Sequence, residues 1–213
     1  MNEFPTNYTN PPSPEQLTPR VEEVLPELLS EEQIKKIEAL YKDAYESRYV
    51  GDEWFEESTM KNTSLVALYK QGEDILAAIN FNQERMISIA VLFNATNRGA
   101  ILISFLEELT KTHPHAWITV AIDAPAMLKV MANKRLDFDL INDPAHIQAL
   151  FQSTQGTDSP VELVMSEETV PGLTPKQAES DIVLPAFSRE NSYHGAEYKQ
   201  LVFQHRVELQ DLN

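Results

Sequence analysis

The spacing of the apolar residues changes along this chain, and this change limits the possible folds more than any other feature of the sequence. Apolar residues recur every three or four positions from Ile34 to Tyr45, which predicts an amphipathic helix that continues to about residue 49. From residue 64 the apolar residues come in short runs, which are typical of strands, and helical spacing returns over 100–112. The sequence therefore predicts an α+β domain.

The ends of the predicted helices carry known signals. Ser30 and Gln33 are spaced as a capping box, so the first helix should begin directly after Ser30. Pro114 ends the helix over 100–112, because proline cannot continue a helical hydrogen-bond ladder. Pro125 suits a first helical turn and predicts a helix that runs to about residue 136. A further short helix is predicted over 52–60.

Three consecutive strands are predicted over 64–70, 75–81 and 86–93, with short polar connections between them. The first connection is a hairpin turn signal, so we expect an antiparallel meander. A fourth strand over 116–122 follows the helix over 100–112. The third strand, this helix and the fourth strand form a βαβ unit, whose two strands are expected to be parallel and adjacent. The predicted sheet is therefore mixed and has helices packed beside it.

The chain divides into three predicted parts. Residues 1–29 hold six of the thirteen prolines and show almost no apolar periodicity, which predicts a flexible Pro-rich arm. Residues 30–142 form the α+β domain, and residues 143–213 form a C-terminal extension that we expect to complete the same sheet. The predicted elements of the extension are a helical turn over 146–151, a strand over 161–165, a loop or short helix over 166–178, a short strand over 181–184 and a final strand over 198–209.

The chain is strongly acidic. Lysine and arginine total 17 against 33 aspartates and glutamates, and residues 1–60 alone contain 14 acidic and 5 basic side chains. A net charge of −16 repels phosphate backbones and anionic lipids, so we expect neither nucleic acid nor a membrane as a partner. No apolar run reaches the roughly 18 to 20 residues that cross a bilayer, and the first 30 residues lack the apolar segment of a secretory signal. We therefore expect a soluble, cytoplasmic protein.

The residue types also limit the chemistry. The chain contains no cysteine, which excludes disulfides, thiolate metal sites and a cysteine nucleophile. His113 and His115 lie on either side of Pro114, but no acidic residue stands at ligand spacing from them. We therefore predict no metal site.

The segment from Asn97 to Ala100 leaves a predicted strand and opens a helix. The first N–H groups of a helix have no partner within it and lie at the positive end of its dipole, which suits a diphosphate. Gly99 and Ala100 are small, so a phosphate can approach the main chain closely, and Arg98 can add positive charge. We therefore predict an anion site at Asn97, Arg98, Gly99 and Ala100.

Two stretches resemble motifs of the GNAT superfamily of N-acetyltransferases. Residues Asn97 to Leu109 are similar to the loop-into-helix motif of the family, in which Arg or Gln precedes small residues and a Leu-Leu-Glu-like helix. Residues Lys134 to Phe138 are similar to the Lys-Leu-Gly-Phe ending of the helix after the fifth strand. The order of predicted elements over 30–141 also resembles the family. The resemblance implies a GNAT-like fold and acetyl coenzyme A as the cofactor, with its diphosphate at the predicted anion site.

The same resemblance implies roles for single residues. Asp123 stands where the family often has a residue that touches the coenzyme, although it could also cap the helix that follows. Glu84 is the candidate general base. The tyrosine that serves as the general acid in the family aligns with Asn133, so the general acid of this chain is unknown. In addition, Leu102 replaces the last small residue of the loop motif. Asp137 takes the place of a glycine that commonly has a left-handed backbone.

Three functions remain open at this stage. The departures at Leu102 and Asn133 favour a GNAT-like protein that has lost the usual chemistry and acts through contacts with a protein partner, as a structural or inhibitory component. The alternative is an acetyl-CoA-dependent N-acetyltransferase, for which an acidic surface favours a cationic amine as the acceptor. A second alternative is an acidic protein that imitates nucleic acid toward a basic partner.

Overall fold

The computed structural model of the chain describes residues 18–44, 60–91, 97–154, 163–171, 181–189 and 199–206. These residues form an α+β fold with one mixed sheet of nine strands. The strands are β1 Arg20–Val24, β2 Leu65–Gln71, β3 Asp74–Asn82, β4 Arg85–Val91, β5 Trp117–Ala121, β6 Phe138–Ile141, β7 Leu163–Pro171, β8 Asp181–Arg189 and β9 Gln200–His205. The helices are α1 Glu31–Ala44, α2 Arg98–Thr112, α3 Pro125–Met131 and α4 Pro144–Ser153, with a short 3₁₀ turn at Pro26–Leu28.

The strands follow the order β1-β2-β3-β4-β5-β9-β8-β7, and β6 pairs with β9 off this path. Strands β2, β3 and β4 pair antiparallel in chain order, which confirms the predicted meander, and β1 lies antiparallel beside β2. Strand β4 is parallel to β5, as the βαβ unit predicts. Strand β9 lies antiparallel beside β5, and its other edge is shared between β6 and one residue pair with β8. The C-terminal strands thus belong to the same sheet as the meander.

The capping box at the start of α1 is confirmed. The backbone N–H of Ser30 donates to Gln33 Oε1 at 3.0 Å, and the backbone N–H of Gln33 donates to Ser30 Oγ at 3.2 Å. These two bonds satisfy N–H groups that the first helical turn leaves without partners. The predicted continuation of this helix to residue 49 and residues 52–59 of the short helix predicted over 52–60 lie outside the described residues.

Two pairs of helices cover the two faces of the sheet. Helices α2 and α3 share one face, where Phe105, Leu106 and Leu128 are almost fully buried against strand residues such as Ile79 and Ile118. Helix α1 covers β2 to β4 on the opposite face through the buried side chains of Ile37, Leu40 and Tyr41. Helix α4 covers β5 and β9 on that same face, with Ile147 and Phe151 packed on Trp117 and Val202.

Several predicted boundaries are wrong. The Pro-rich arm does not extend to residue 29, because Arg20–Val24 forms the edge strand β1 against β2. The composition of this segment did not indicate a strand, because an edge strand pairs its backbone groups with only one neighbour. Val21 and Val24 supply the apolar contact that it needs. Residues 1–17 of the predicted arm lie outside the described residues.

The C-terminal half also departs from the predicted boundaries. Residues 166–171 belong to β7 rather than to a loop or short helix, and β8 continues from residue 184 to Arg189. Strand β6 was not predicted, because its four residues alternate too briefly to show a period. Helix α3 ends at Met131 instead of residue 136. Within the residues that the structure describes, no helix is long and apolar enough to span a bilayer.

Candidate functional site

The parallel ladder between β4 and β5 is short and lies at the amino ends of the two strands. They pair only at Arg85 with Trp117 and at Met86 with Ile118, although β4 continues to Val91. The pairing of β4 with β3 shifts by one residue after Met86, so that the next residue along β4 is a β-bulge. A bulge bends its strand and increases the local twist, which gives a physical reason why the ladder with β5 ends there. The region between the unpaired parts of the two strands is called the cleft below; the strands pair at its amino end.

The N-terminus of α2 lies next to the open end of this cleft. Arg98, the first residue of α2, donates from Nη2 to the backbone oxygen of Val91, the last residue of β4, at 3.2 Å. The side chain of Asn97 makes no capping hydrogen bond, and the first turn contains no acidic residue. The first N–H that bonds within the helix is that of Ile101, at 3.0 Å from Asn97 O. The positive end of the α2 dipole is thus not neutralised by a carboxylate of its own first turn.

The structure brings the four predicted anion-site residues together at this helix start. Asn97, Gly99 and Ala100 are exposed, and Arg98 is partly buried. A Cβ placed on Gly99 would meet no atom within 4 Å, so the space beside its Cα is open. Small residues at a helix start favour a close approach of an anion to the backbone N–H groups.

Leu102 does not obstruct this surface. Its side chain is 7% exposed and lies in the core beneath α2, in the same cluster as Phe105 and Leu106. A leucine at this position therefore faces the sheet and leaves the outside of the first turn open. The departure from the small residue of the family motif changes the core more than the anion site.

Asp123 lies in the turn between β5 and α3 and is exposed. The N-cap of α3 is Ala124, whose own side chain makes no capping hydrogen bond. The N-cap position is therefore one residue after Asp123, so the prediction of Asp123 as the N-cap residue is wrong. Because β4 and β5 are parallel, Asp123 follows β5 at the same edge of the sheet as the start of α2. Contact of Asp123 with a coenzyme stays a prediction.

Glu84 lies at the opposite end of β4, where the cleft is closed. Its backbone oxygen accepts a hydrogen bond from the Trp117 N–H at 3.0 Å. Its Oε2 is buried without a hydrogen-bond partner and lies 3.9 Å from Nδ1 of His113. Seven strand residues separate Glu84 from the end of β4, which is about 20 Å. The structure therefore places Glu84 away from the predicted anion site, and its role as a general base stays a prediction.

The residues that resemble the second motif form the turn after α3 and have a structural role there. Asn133 Oδ1 accepts from the backbone N–H of Arg135 at 3.0 Å, and Asn133 O accepts from that of Leu136 at 3.0 Å. These bonds shape the turn that ends α3. Asp137 has φ 48°, which confirms the predicted left-handed backbone at this position. The Arg135 guanidinium holds Glu107 of α2 through two bonds of 2.7 Å.

A buried polar network that the sequence analysis missed lies beside the cleft. The Tyr41 hydroxyl donates to Asn80 Oδ1 at 2.8 Å and accepts from Ser88 Oγ at 3.0 Å. Asn80 Nδ2 donates to Thr63 Oγ1 at 3.0 Å. Tyr41 and Asn80 are fully buried, whereas Ser88 is partly exposed. A lone asparagine inside an apolar strand is the sequence signal that could have indicated this network.

The strand residues that border the open part of the cleft are mostly apolar. After Met86 and Ile118, β4 and β5 contribute no carboxylate and no imidazole, and their polar side chains are the hydroxyls of Ser88 and Thr119. Thr119 is partly exposed like Ser88 and shares the face of Trp117 by strand alternation. These two strands thus offer hydrogen-bonding groups but no ordinary base.

A second charged group lies at the same edge of the sheet. The Ile122 N–H donates to the Lys199 backbone oxygen at 3.1 Å, which holds Lys199 beside the β5–α3 turn. The Lys199 ammonium pairs with Glu168 of β7. Hydrogen bonds from Lys199 and Ser166 lower the pKa of the Glu168 carboxyl. The charge of Lys199 is therefore already compensated by Glu168.

No metal centre is found among the described residues, where no three His, Asp or Glu side chains are placed to hold an ion. Comparisons of the chain with models of protein families and with curated proteins find no match. The candidate site is thus defined by its geometry alone: the cleft between β4 and β5, the open start of α2 and the hydroxyl groups beside β4.

Proposed function

We propose that the chain binds a nucleotide-containing thioester, with the diphosphate at the start of α2 and the acyl arm in the cleft between β4 and β5. The observation that carries this proposal is the pair of parallel strands whose ladder ends after two residue pairs, next to a helix N-terminus without a cap or an acidic residue. Such a helix start favours anions, and unpaired strand ends leave backbone groups accessible to an extended ligand.

The ligand that fits best is acetyl coenzyme A, and the class of protein is a GNAT-like acyltransferase scaffold. The order of the described elements supports this: α1, the meander β2 to β4, α2, β5 and α3 follow one another as in the resemblance drawn from the sequence. The left-handed Asp137 at the end of the second motif adds independent support. The acidic surface favours a cationic amine as the acceptor.

The chemistry proposed for the cleft is transfer of the acetyl group to an amine that enters as the free base. The amine nitrogen would attack the thioester carbonyl carbon, the C–S bond would break, and the proton of the resulting ammonium would pass to the thiolate or to water. The described walls of β4 and β5 beyond their paired ends contain no base that could deprotonate an ammonium ion. The rate should therefore rise about tenfold per pH unit below the pKa of the acceptor amine.

Binding of coenzyme A is the first test. A ligand that binds only the folded chain must raise its unfolding temperature, so we expect stabilisation at tens of micromolar acetyl coenzyme A. ATP serves as the control, because it carries a comparable charge but lacks the pantetheine arm. The absence of any shift at 1 mM acetyl coenzyme A contradicts the proposal. Transfer is then measured with spermidine and with a lysine peptide as acceptors.

A second candidate function is a scaffold that acts through protein contacts. The observation that favours it is the β7–β8 hairpin at the sheet edge, where Val164 and Val183 are 50% and 62% exposed. Asn133, which makes the turn after α3, also takes the place of the family's acid. This candidate predicts that coenzyme A has no effect and that a complex formed in cell extract is lost when Val183 is replaced by aspartate.

A further inference from the structure

The hairpin formed by β7 and β8 is a nearly separate unit of the sheet. Its two strands pair with each other along all nine residues of each strand. By contrast, β8 pairs with β9 only at Phe187 with Gln200. The rest of that edge of β9 pairs with β6, over Val202 to His205. Among the described residues, the backbone thus ties the hairpin to the sheet at a single residue pair.

Side chains on one face of the hairpin add to this attachment. Ala186 is fully buried in the core on the face of the sheet that α2 and α3 cover, and Val170 on the same face of the hairpin is almost fully buried. The Lys199 ammonium, directly before β9, donates a hydrogen bond to Oε1 of Glu168. The Ser166 hydroxyl donates to the same oxygen at 2.9 Å. The Glu168–Lys199 pair is therefore the charged link between the hairpin and the strand beside it.

This link responds to pH with a defined sign. Hydrogen bonds from Lys199 and then from Ser166 favour the charged carboxylate and lower the pKa of Glu168. These two groups are the ones that act on Glu168, and the residue opposite it on β8 is Leu184. The pair therefore stabilises the docked hairpin above the pKa that Glu168 has in the undocked hairpin. This effect is lost as the pH falls through the lower pKa of the docked state.

We infer that the β7–β8 hairpin undocks from β9 as one unit while the rest of the sheet stays folded, and that the Glu168–Lys199 pair is the latch that sets how often it does so. Undocking exposes the edge of β9 at Gln200 and the apolar face of the hairpin that carries Ala186. Acid opens the latch, because it removes the charge of Glu168. The latch does not require coenzyme A, so it goes beyond the proposed function.

Amide hydrogen exchange of the full chain, followed by NMR, measures undocking. A two-stranded hairpin is only marginally stable alone in water, so the amides of β7 and β8 should exchange together when the hairpin leaves the sheet. The amides of β3 report opening of the whole sheet and serve as the internal reference. The variants are Glu168→Gln, Lys199→Gln, the double variant and Glu167→Gln. Glu167→Gln is the matched control, because it removes the same charge from the same strand on the opposite, exposed face.

At pH 7 we expect the protected amides of β7 and β8 to exchange faster than those of β3 in the wild type. In Glu168→Gln and in Lys199→Gln they should exchange about two- to fivefold faster still, the usual effect of one ion pair near the surface. The double variant should exchange like either single variant, and Glu167→Gln like the wild type. Toward pH 3, after correction for intrinsic exchange rates, the wild type and Glu168→Gln should become equal.

Three results overturn the inference. The first is protection of the hairpin amides equal to that of the β3 amides in the wild type. The second is the same loss of protection in Glu167→Gln as in Glu168→Gln. The third is a loss in Glu168→Gln that affects β3 as much as the hairpin, which would mean that the whole sheet opens. Lys199→Gln tests the same pair from β9 if Glu168→Gln does not fold.

Discussion

Replacing Gly99 by glutamate should stabilise the protein and weaken its coenzyme binding at the same time. Gly99 is exposed in the first turn of α2, and a Cβ there meets no atom within 4 Å, so the larger side chain fits without strain. Loss of the glycine adds about 0.8 to 1 kcal/mol of helix propensity. A carboxylate near the helix N-terminus adds about 0.3 to 1 kcal/mol. The sum of about 1 to 2 kcal/mol should raise the unfolding temperature by about 2 to 8 °C.

The same carboxylate repels a diphosphate. Two unit charges about 5 Å apart interact by roughly 1 to 3 kcal/mol at the effective dielectric constants of a protein surface. Coenzyme A should therefore bind Gly99→Glu about five- to 150-fold more weakly than it binds the wild type. Thermal unfolding measures the change in the unfolding temperature, and titration calorimetry measures the affinity for coenzyme A. Equal affinity of coenzyme A for both forms would refute an anion site at this helix start.

Gly99→Ala and Gly99→Lys are the matched controls. Alanine changes the helix propensity without charge, and lysine adds a charge of the opposite sign to glutamate. The unfolding temperature should decrease in the order Glu, Ala, Lys, because a cation opposes the helix dipole. The affinity for coenzyme A should decrease in the reverse order. If the affinity for coenzyme A decreases in the same order as the unfolding temperature, the affinity follows stability and not the local charge.

Three further predictions concern stability. Asn80→Ala leaves the buried Tyr41 hydroxyl without its nearest acceptor, and urea unfolding should show a loss of about 1 to 3 kcal/mol. The hydrogen bond from Arg206 lowers the pKa of Asp139, so the pair stabilises the folded state above the unfolded-state pKa and loses this effect as the pH falls through the lower folded-state pKa. Asp139 is half exposed, so Asp139→Asn should cost less than about 1 kcal/mol at pH 7 and nothing near pH 2; an equal cost at both pH values contradicts this. Asp137 has a left-handed backbone, so Asp137→Ala should lose about 1 kcal/mol in urea unfolding while Asp137→Gly should not.

Local signals in the sequence were sufficient wherever an element is determined by its own residues. The capping box of Ser30 and Gln33, the Gly72 turn between β2 and β3, and the helix after Asn97 are all found where they were predicted. Each depends on contacts within a few positions of the chain. The boundaries of β1 and β6 could not be found in this way, because the hydrogen bonds that define them come from strands that are distant in the chain.

The candidate site shows the same division. The exposed turn at Asn97 to Ala100 follows from small residues that precede a helical pattern, and the structure brings these four residues together. The position of Glu84 at the closed end of the cleft could not be predicted, because it depends on where β5 pairs with β4. The Tyr41, Asn80 and Ser88 network joins residues that are 39 and 47 positions apart in the chain.

The sequence alone determined the order of helices and strands from α1 to α3, the mixed character of the sheet and the helix start at Asn97, since these follow from apolar spacing and from single capping, turn and glycine residues. Only the tertiary structure decided that β4 and β5 pair only at their amino ends, that Leu102 faces the core and that a hydroxyl network lies beside the cleft. These features depend on a bulge and on pairing between strands that are far apart in the chain. A one-dimensional pattern does not contain the register that sets them.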